Sequence, residues 1–195
     1  DLPAIDRNVG RIKQALPRHV RYVAVVKADA YGHGMPEVAR RLLQAGVDAF
    51  AVANVAEAIR LREVGHEGDT LLLSPTLPEE VARAAEHGFD LTINSLEEAK
   101  AFAAWGSAHG RPVRVHVKVD TGMGRAGVWH EQAAELIAFV RSSPNIAWRG
   151  IYTHFSDADS DEAFTAAQRT IFLKLLEGIP ASVRAGLMIH ARSEE

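Results

Sequence analysis

VRVHVKVD, residues 113 to 120, sets a valine at every second position and an ionisable residue at each position between. Successive side chains of a strand point to opposite faces. Val113, Val115, Val117 and Val119 therefore share one face, and Arg114, His116, Lys118 and Asp120 share the other. The valines suit a covering layer of helices. The second face needs an interior that accepts polar groups, and that requirement bears on the kind of sheet to which the strand belongs.

Further apolar runs of strand length lie at 22–28, 48–54, 69–75, 90–95, 149–155 and 186–191. Between them, the spacing predicts helices over 36–46, 55–65, 77–88, 95–106, 130–143 and 161–178. Gly46, Gly65, Gly88, Gly106 and Gly178 stand where a helix is closed by glycine, and Ser95 with Glu98 forms a capping box. Strict βα alternation predicts an α/β fold with a parallel sheet, either open and doubly wound or closed as a TIM-type (β/α)8 barrel. Spacing favours the barrel. Seven strands are counted in 195 residues, whereas closure takes eight strands and about 250 residues, so the expected barrel is incomplete, with about seven βα units.

Composition narrows the function classes. The chain is 47% hydrophobic with a formal charge of −3, and no basic block marks a nucleic-acid footprint. No apolar run approaches the roughly 20 residues a bilayer crossing needs. The opening DLPAIDRNVG does not read as a signal peptide, and zero cysteines exclude disulfides, thiolate nucleophiles and Cys-ligated zinc. No metal site is expected, and a cytoplasmic location is compatible with all of this.

Barrels of this type carry their sites at the C-terminal ends of the strands. Strand parity groups Val23, Val25 and Lys27 in the first strand, and Tyr152 and His154 in the sixth. Lys27 has two readings: a rim lysine snorkelling to water, or a desolvated amine fit for a Schiff base. Lysine is scarce in this chain, and two of its five lysines end strands. Taken alone, His154 suits a satisfied structural histidine and Tyr31 a half-buried aromatic. The turn in VDTGMGRAGV can bring Arg125 back beside Lys118. Two buried cations in contact repel, so one finds an anion, Lys118 loses its proton, or Lys118 is modified to invert its charge. GMGRAG (122–127) formally matches G-x-G-x-x-G, but no acidic residue ends the following strand, and the match is read as chance.

Three stretches taken together, AVVKADAYGHG (24–34), HVKVDTGMGRAGV (116–128) and IYTHFSDAD (151–159), resemble the N-terminal barrel domain of alanine racemase, a fold-type III pyridoxal-phosphate enzyme. The resemblance implies that residues 1–195 correspond to that domain, with the family's C-terminal β domain absent from them. It implies an isomerase that interconverts L- and D-alanine, supplies D-alanine for peptidoglycan and works as a cytoplasmic homodimer. By the same resemblance, Lys27 holds pyridoxal 5′-phosphate and then serves as a catalytic base. Tyr31 contacts the cofactor phosphate, and Arg125 contacts the cofactor's phenolic oxygen and the substrate carboxylate. His154 belongs to the hydrogen-bond network beneath the cofactor ring, and Lys118 is a candidate carboxylysine paired with Arg125. His190 matches the family's tail pattern, and Ser193 falls one position out of register with its phosphate-binding serine. The acid on the opposite face is, in the family, a tyrosine of the partner subunit's β domain, so these 195 residues are expected not to racemise by themselves. The alternative reading is a non-catalytic pyridoxal-phosphate-binding barrel of the homeostasis type. A plain sugar-phosphate barrel stands third.

Overall fold

The computed structural model describes residues 1–192. Two compact units divide the chain, Asp1–Asp90 and a second beginning at Leu91.

The first unit opens with α1 (Leu2–Ala15), which the sequence reading did not include. Leu2, Ile5, Val9 and Ile12 recur at helical spacing, yet Val9 is the one residue of α1 that is buried. Polar links hold α1 instead: Arg41 of α3 (Met35–Gln44) donates to Asp6 at 2.7 Å, and Lys13 donates to the carbonyls of Ala45 and Gly46. Strands β1 (Val23–Val25), β2 (Ala49–Val52) and β3 (Thr70–Pro75) pair in parallel and in that order. Ala24 lies opposite Phe50, and Phe50 lies opposite Thr70. β2 is buried at every residue, which explains its continuous apolar run in place of alternation. Between β1 and α3 lies α2 (Lys27–Gly32). Helix α4 (Val55–Glu63) links β2 to β3, and α5 (Val81–Glu86) comes after β3.

In the second unit, β4 (Asp90–Ile93), β5 (Val113–Asp120), β7 (Ile146–His154) and β8 (Met188–Arg192) form a parallel sheet in that order, and β6 (Val128–Trp129) adds a short bridge to the end of β5. The intervening helices are α6 (Leu96–His109), α7 (Ala133–Ser142) and α8 (Glu162–Glu177), with a single turn α9 (Ala181–Arg184) before β8. β7 begins three residues before the expected start and carries a bulge. Val115 faces Trp148 and His116 faces Gly150, so Arg149 is the extra residue.

One expected helix end is corrected. Helix α6 runs through Gly106 for another turn and closes at Gly110, whose φ of 61° is the left-handed conformation glycine adopts readily. Gly106 serves close approach: a Cβ there would lie 2.7 Å from the Asn145 carbonyl oxygen and 3.0 Å from that of Arg111. Gly178, just past α8, has a right-handed φ of −70°, so its backbone conformation asks nothing special of glycine.

An interior helical glycine changed to alanine ordinarily gains up to about 1 kcal/mol. At Gly106 the clash reverses that sign. Gly106→Ala is expected to lose about 1–3 kcal/mol of stability, read as a lower urea midpoint, whereas a neutral or raised midpoint would show that α6 can move away.

Candidate active site

Lys27 follows β1 after the single residue Val26, and the four residues beyond it have the most unusual backbone among the described residues. Ala28, Asp29, Ala30 and Tyr31 have φ of 52–56° and ψ of 38–50°, one turn wound left-handed from four non-glycine residues. Each such residue costs on the order of 1–2 kcal/mol, and L-residues visit this region singly, not in runs. The turn stands because its polar groups are taken up. Within it, the Ala30 amide donates to the Val26 carbonyl at 2.9 Å and the Gly34 amide to the Asp29 carbonyl at 3.0 Å. From outside, a carboxylate oxygen of Glu57 accepts from the Ala28 amide at 2.8 Å. Asp29 Oδ1 accepts from the Met35 amide at 3.0 Å and from Arg60 Nη2 at 3.1 Å. The Met35 bond, and after it Arg60, hold the Asp29 carboxyl below its ordinary range.

On this turn the half-buried Lys27 and the exposed Tyr31 are neighbours, with Lys27 Nζ 5.9 Å from the centre of the Tyr31 ring. An amine and a phenol thus leave one rigid turn at the C-terminal end of a strand. The sequence reading found both residues but missed Glu57, Asp29 and Arg60. Part of the signal was present: Asn54-x-x-Glu57 is a capping box, and the Asn54 side chain does accept from the Glu57 amide at 3.0 Å. No glycine marks the left-handed run, so nothing in its letters announces it.

The second unit gathers its own polar group. His116, Lys118 and Asp120 of β5 and Tyr152 and His154 of β7 are all at most 8% exposed, as the parity of VRVHVKVD implied. Lys118 pairs in register with Tyr152, its Nζ 5.7 Å from the ring centre. The Tyr152 hydroxyl shares a hydrogen bond with Thr92 at 3.0 Å, and its ring stacks on His190 of β8 at 4.5 Å and 9°. His190 Nε2 lies 3.0 Å from His116 Nδ1, so one ring donates and the other accepts. Gly150, opposite both His116 and Met188, makes room for that pair, since a Cβ there would sit 2.4 Å from the His116 ring.

Arg125 lies on the exposed side of the turn after β5, while Lys118 is buried. Asp120 folds that turn by accepting from the amides of Gly122 and Gly124, each at 2.9 Å. Those amides are what a dinucleotide-binding loop would offer to phosphate, and an internal carboxylate already takes them. The backbone of His154 is fixed by Gln168 of α8, a fully buried residue that sequence reasoning did not single out. Gln168 Nε2 donates to the His154 carbonyl at 3.2 Å and to the Thr121 hydroxyl at 3.3 Å, and its Oε1 accepts from Ser156. Ser193 lies outside the described residues. Among the described residues no cluster of three or more histidines and carboxylates could hold a metal, and no helix is long and apolar enough to cross a membrane.

A family model described as the alanine racemase N-terminal domain matches residues 1–193. Alanine racemase of Geobacillus stearothermophilus is 40% identical over 186 residues, covering 93% of this chain and 47% of the relative. Among solved structures, alanine racemase from Clostridium difficile 630 superposes with a TM-score of 0.88 at 31% identity, over 98% of this chain and 50% of that one. Histidine racemase from Leuconostoc mesenteroides subsp. sake gives a TM-score of 0.86 at 28% identity, over 97% and 50%. The chain therefore spans about half the length of the proteins it matches. Its fold class is α/β, of the TIM-type barrel kind, with seven parallel βα strands among the described residues.

Burial first, and then the neighbouring His116, push His190 down to about 3. An unfolded histidine titrates near 6.5. Between those values the unfolded chain binds a proton that the folded chain excludes, so stability falls as pH drops below about 6.5 and the loss levels off near 3. Urea melts at pH 7 and at pH 4.5 should show this fall, with a shallower slope in His190→Gln; an equal slope in the variant would assign the acid sensitivity to other groups.

Proposed function

Because this chain belongs to the alanine racemase family, as its N-terminal domain, we propose that it carries the lysine side of an isomerase acting on alanine with pyridoxal 5′-phosphate. The observation that carries this reading is the rigid left-handed turn from which Lys27 and Tyr31 project side by side. The donor set fits the group: a primary amine can bond the cofactor's aldehyde carbon, and a phenol on the same turn can donate to a phosphate oxygen. When bound, pyridoxal phosphate supplies an electron sink that stabilises negative charge at the substrate's α-carbon.

The chain's own residues do the rest. Lys27 Nζ would hold the cofactor, and as a free amine it would take or return the α-proton on one face. Tyr31 orients the phosphate through its hydroxyl. Arg125 pairs with the substrate carboxylate and the cofactor's phenolic oxygen, a role its charge and planar fork suit. His154, with its backbone held by Gln168, would join the hydrogen bonds that support the cofactor. Lys118, buried beside Tyr152, is a lysine for which carboxylation would replace a buried cation with an anion able to pair with Arg125. In this reading the enzyme works in the cytoplasm as a homodimer and supplies D-alanine for peptidoglycan. The non-catalytic cofactor binder is not favoured, since relatives at 40% identity are named racemases. The similarity to a histidine racemase leaves the substrate side chain as the more variable part of the reading.

Borohydride reduction after incubation with pyridoxal phosphate, followed by peptide mass spectrometry, should place the adduct on Lys27 and abolish it in Lys27→Ala. Tyr31→Phe should weaken cofactor capture about 10- to 100-fold, the worth of one hydrogen bond to a charged group. The 195-residue chain alone is expected to capture cofactor without racemising alanine at an ordinary enzymatic rate. An adduct that persists in Lys27→Ala would end the reading.

A further inference from the structure

Two βα junctions in this chain use the same capping device, and they differ in what the glutamate reaches beyond the cap. At the start of α6, Ser95 Oγ accepts from the Glu98 amide at 3.1 Å, and Glu98 Oε2 turns back to the Asn94 amide at 2.7 Å and to the Asn94 side chain at 3.2 Å. Every hydrogen bond described for Glu98 stays inside its own junction. At the start of α4, Asn54 Oδ1 accepts from the Glu57 amide at 3.0 Å and Glu57 Oε2 accepts from the Ala53 amide at 2.7 Å, which completes the same cap. The remaining oxygen, Oε1, leaves the junction and accepts at 2.8 Å from the Ala28 amide, the peptide N–H directly after Lys27. Helix capping does not require that bond, as Glu98 demonstrates.

The effect of the bond depends on where it lands. Ala28 is the first of the four left-handed residues, and its φ sets the hand of the turn as the chain leaves Lys27. Arg60, one turn further along α4, takes hold of the next residue through Asp29 Oδ1 at 3.1 Å. Residues three apart lie on one face of a helix, so α4 grips the turn at two successive positions. Without the Glu57 contact, the Ala28 amide loses its acceptor, and the chain gains by relaxing toward the ordinary right-handed region. Such a relaxation rotates the peptide planes that carry Lys27 and Tyr31.

We infer that Glu57 is a positioning residue: its carboxylate, bound to the Ala28 amide, keeps the left-handed turn wound and so sets where the Lys27 amine points. The inference rests on the reading of Lys27 as the cofactor-bearing amine. Glutamine at 57 would offer one carbonyl oxygen where two amides need acceptors, so Glu57→Gln should serve one of them and fall between wild type and Glu57→Ala.

The test compares Glu57→Ala, Glu57→Gln and, as the capping control, Glu98→Ala. Amide hydrogen exchange on the cofactor-free chain should show Ala28 and its turn exchanging about tenfold faster in Glu57→Ala, with Glu57→Gln intermediate and Glu98→Ala like wild type there. With pyridoxal phosphate added, the rate of borohydride-fixed adduct at Lys27 should fall in the same order, about tenfold in Glu57→Ala. Where Glu57→Ala does not fold, Glu57→Gln carries the comparison. Turn exchange and Lys27 capture in the Glu57 variants equal to those of Glu98→Ala overturn the inference, as does faster exchange spread evenly through Asp1–Asp90. A wild-type chain with no adduct at Lys27, but with faster exchange in the Glu57 variants confined to the turn, supports the grip of Glu57 and overturns the cofactor role of the lysine.

Discussion

A run of L-residues held at positive φ is the constraint around which the first unit is arranged. The Ala28–Tyr31 turn has no steric reason to persist, and it is bounded on both sides by elements that hold it. Val26 is fixed on β2 by its N–H, which donates to the Ala51 carbonyl at 3.0 Å, and Asp29 accepts from the Met35 amide at the start of α3. Helix α4 closes the third side with Glu57 and Arg60. Strain of this kind persists only where its surroundings over-determine it, and it concentrates at functional sites. The helix that follows and the helix after that each contribute a hydrogen bond to one turn, and β2 anchors Val26 just ahead of it.

The second unit meets the opposite problem, which is how to bury ionisable groups without leaving them unsatisfied. Its answer is directional. Gln168 donates to Thr121, the Thr121 hydroxyl bonds that of Thr153 at 2.7 Å, and Thr153 donates to the Val119 carbonyl at 2.9 Å. Each hydroxyl in that series has its proton assigned by its neighbour, so the ends of β5 and β7 are tied by a path with one sense. His116 of β5 and His190 of β8 are likewise held in a single shared bond. Buried polar networks are stabilising when every member is satisfied and costly when one is not, and here the links run from α8 through the end of β5 to β7.

The sheet was legible in the sequence because βα alternation is a pattern of composition, and parallel strands are its consequence. Parity in VRVHVKVD placed four residues on one face, and the burial of His116, Lys118 and Asp120 agrees. Helix α1 was overlooked although Leu2, Ile5, Val9 and Ile12 repeat at helical spacing, since it precedes the first strand and falls outside the βα alternation that guided the reading. Gly106 misled because a glycine required for close approach looks the same as a glycine required for a helix end. The deepest gap lies at ADAY, where the conformation is imposed by partners 29 and 31 residues away, Glu57 on Ala28 and Arg60 on Asp29, and local letters carry no trace of it. Gln168 escaped for a related reason: its importance lies in what it touches across the fold.

The hand of the Ala28–Tyr31 turn makes the lysine motif non-portable. Spliced behind the strand of some other βα protein, the letters KADAY would wind right-handed, because nothing in them opposes that choice. The amine and the phenol would then leave the backbone on different bearings, with the spacing intact and the geometry lost. A transplant would have to bring the second junction as well, with Asn54, Glu57 and Arg60 in place. The unit that can be moved between scaffolds is therefore a pair of neighbouring loops, and an inventory of matching letters at the first loop alone overstates how much of the site a foreign chain possesses.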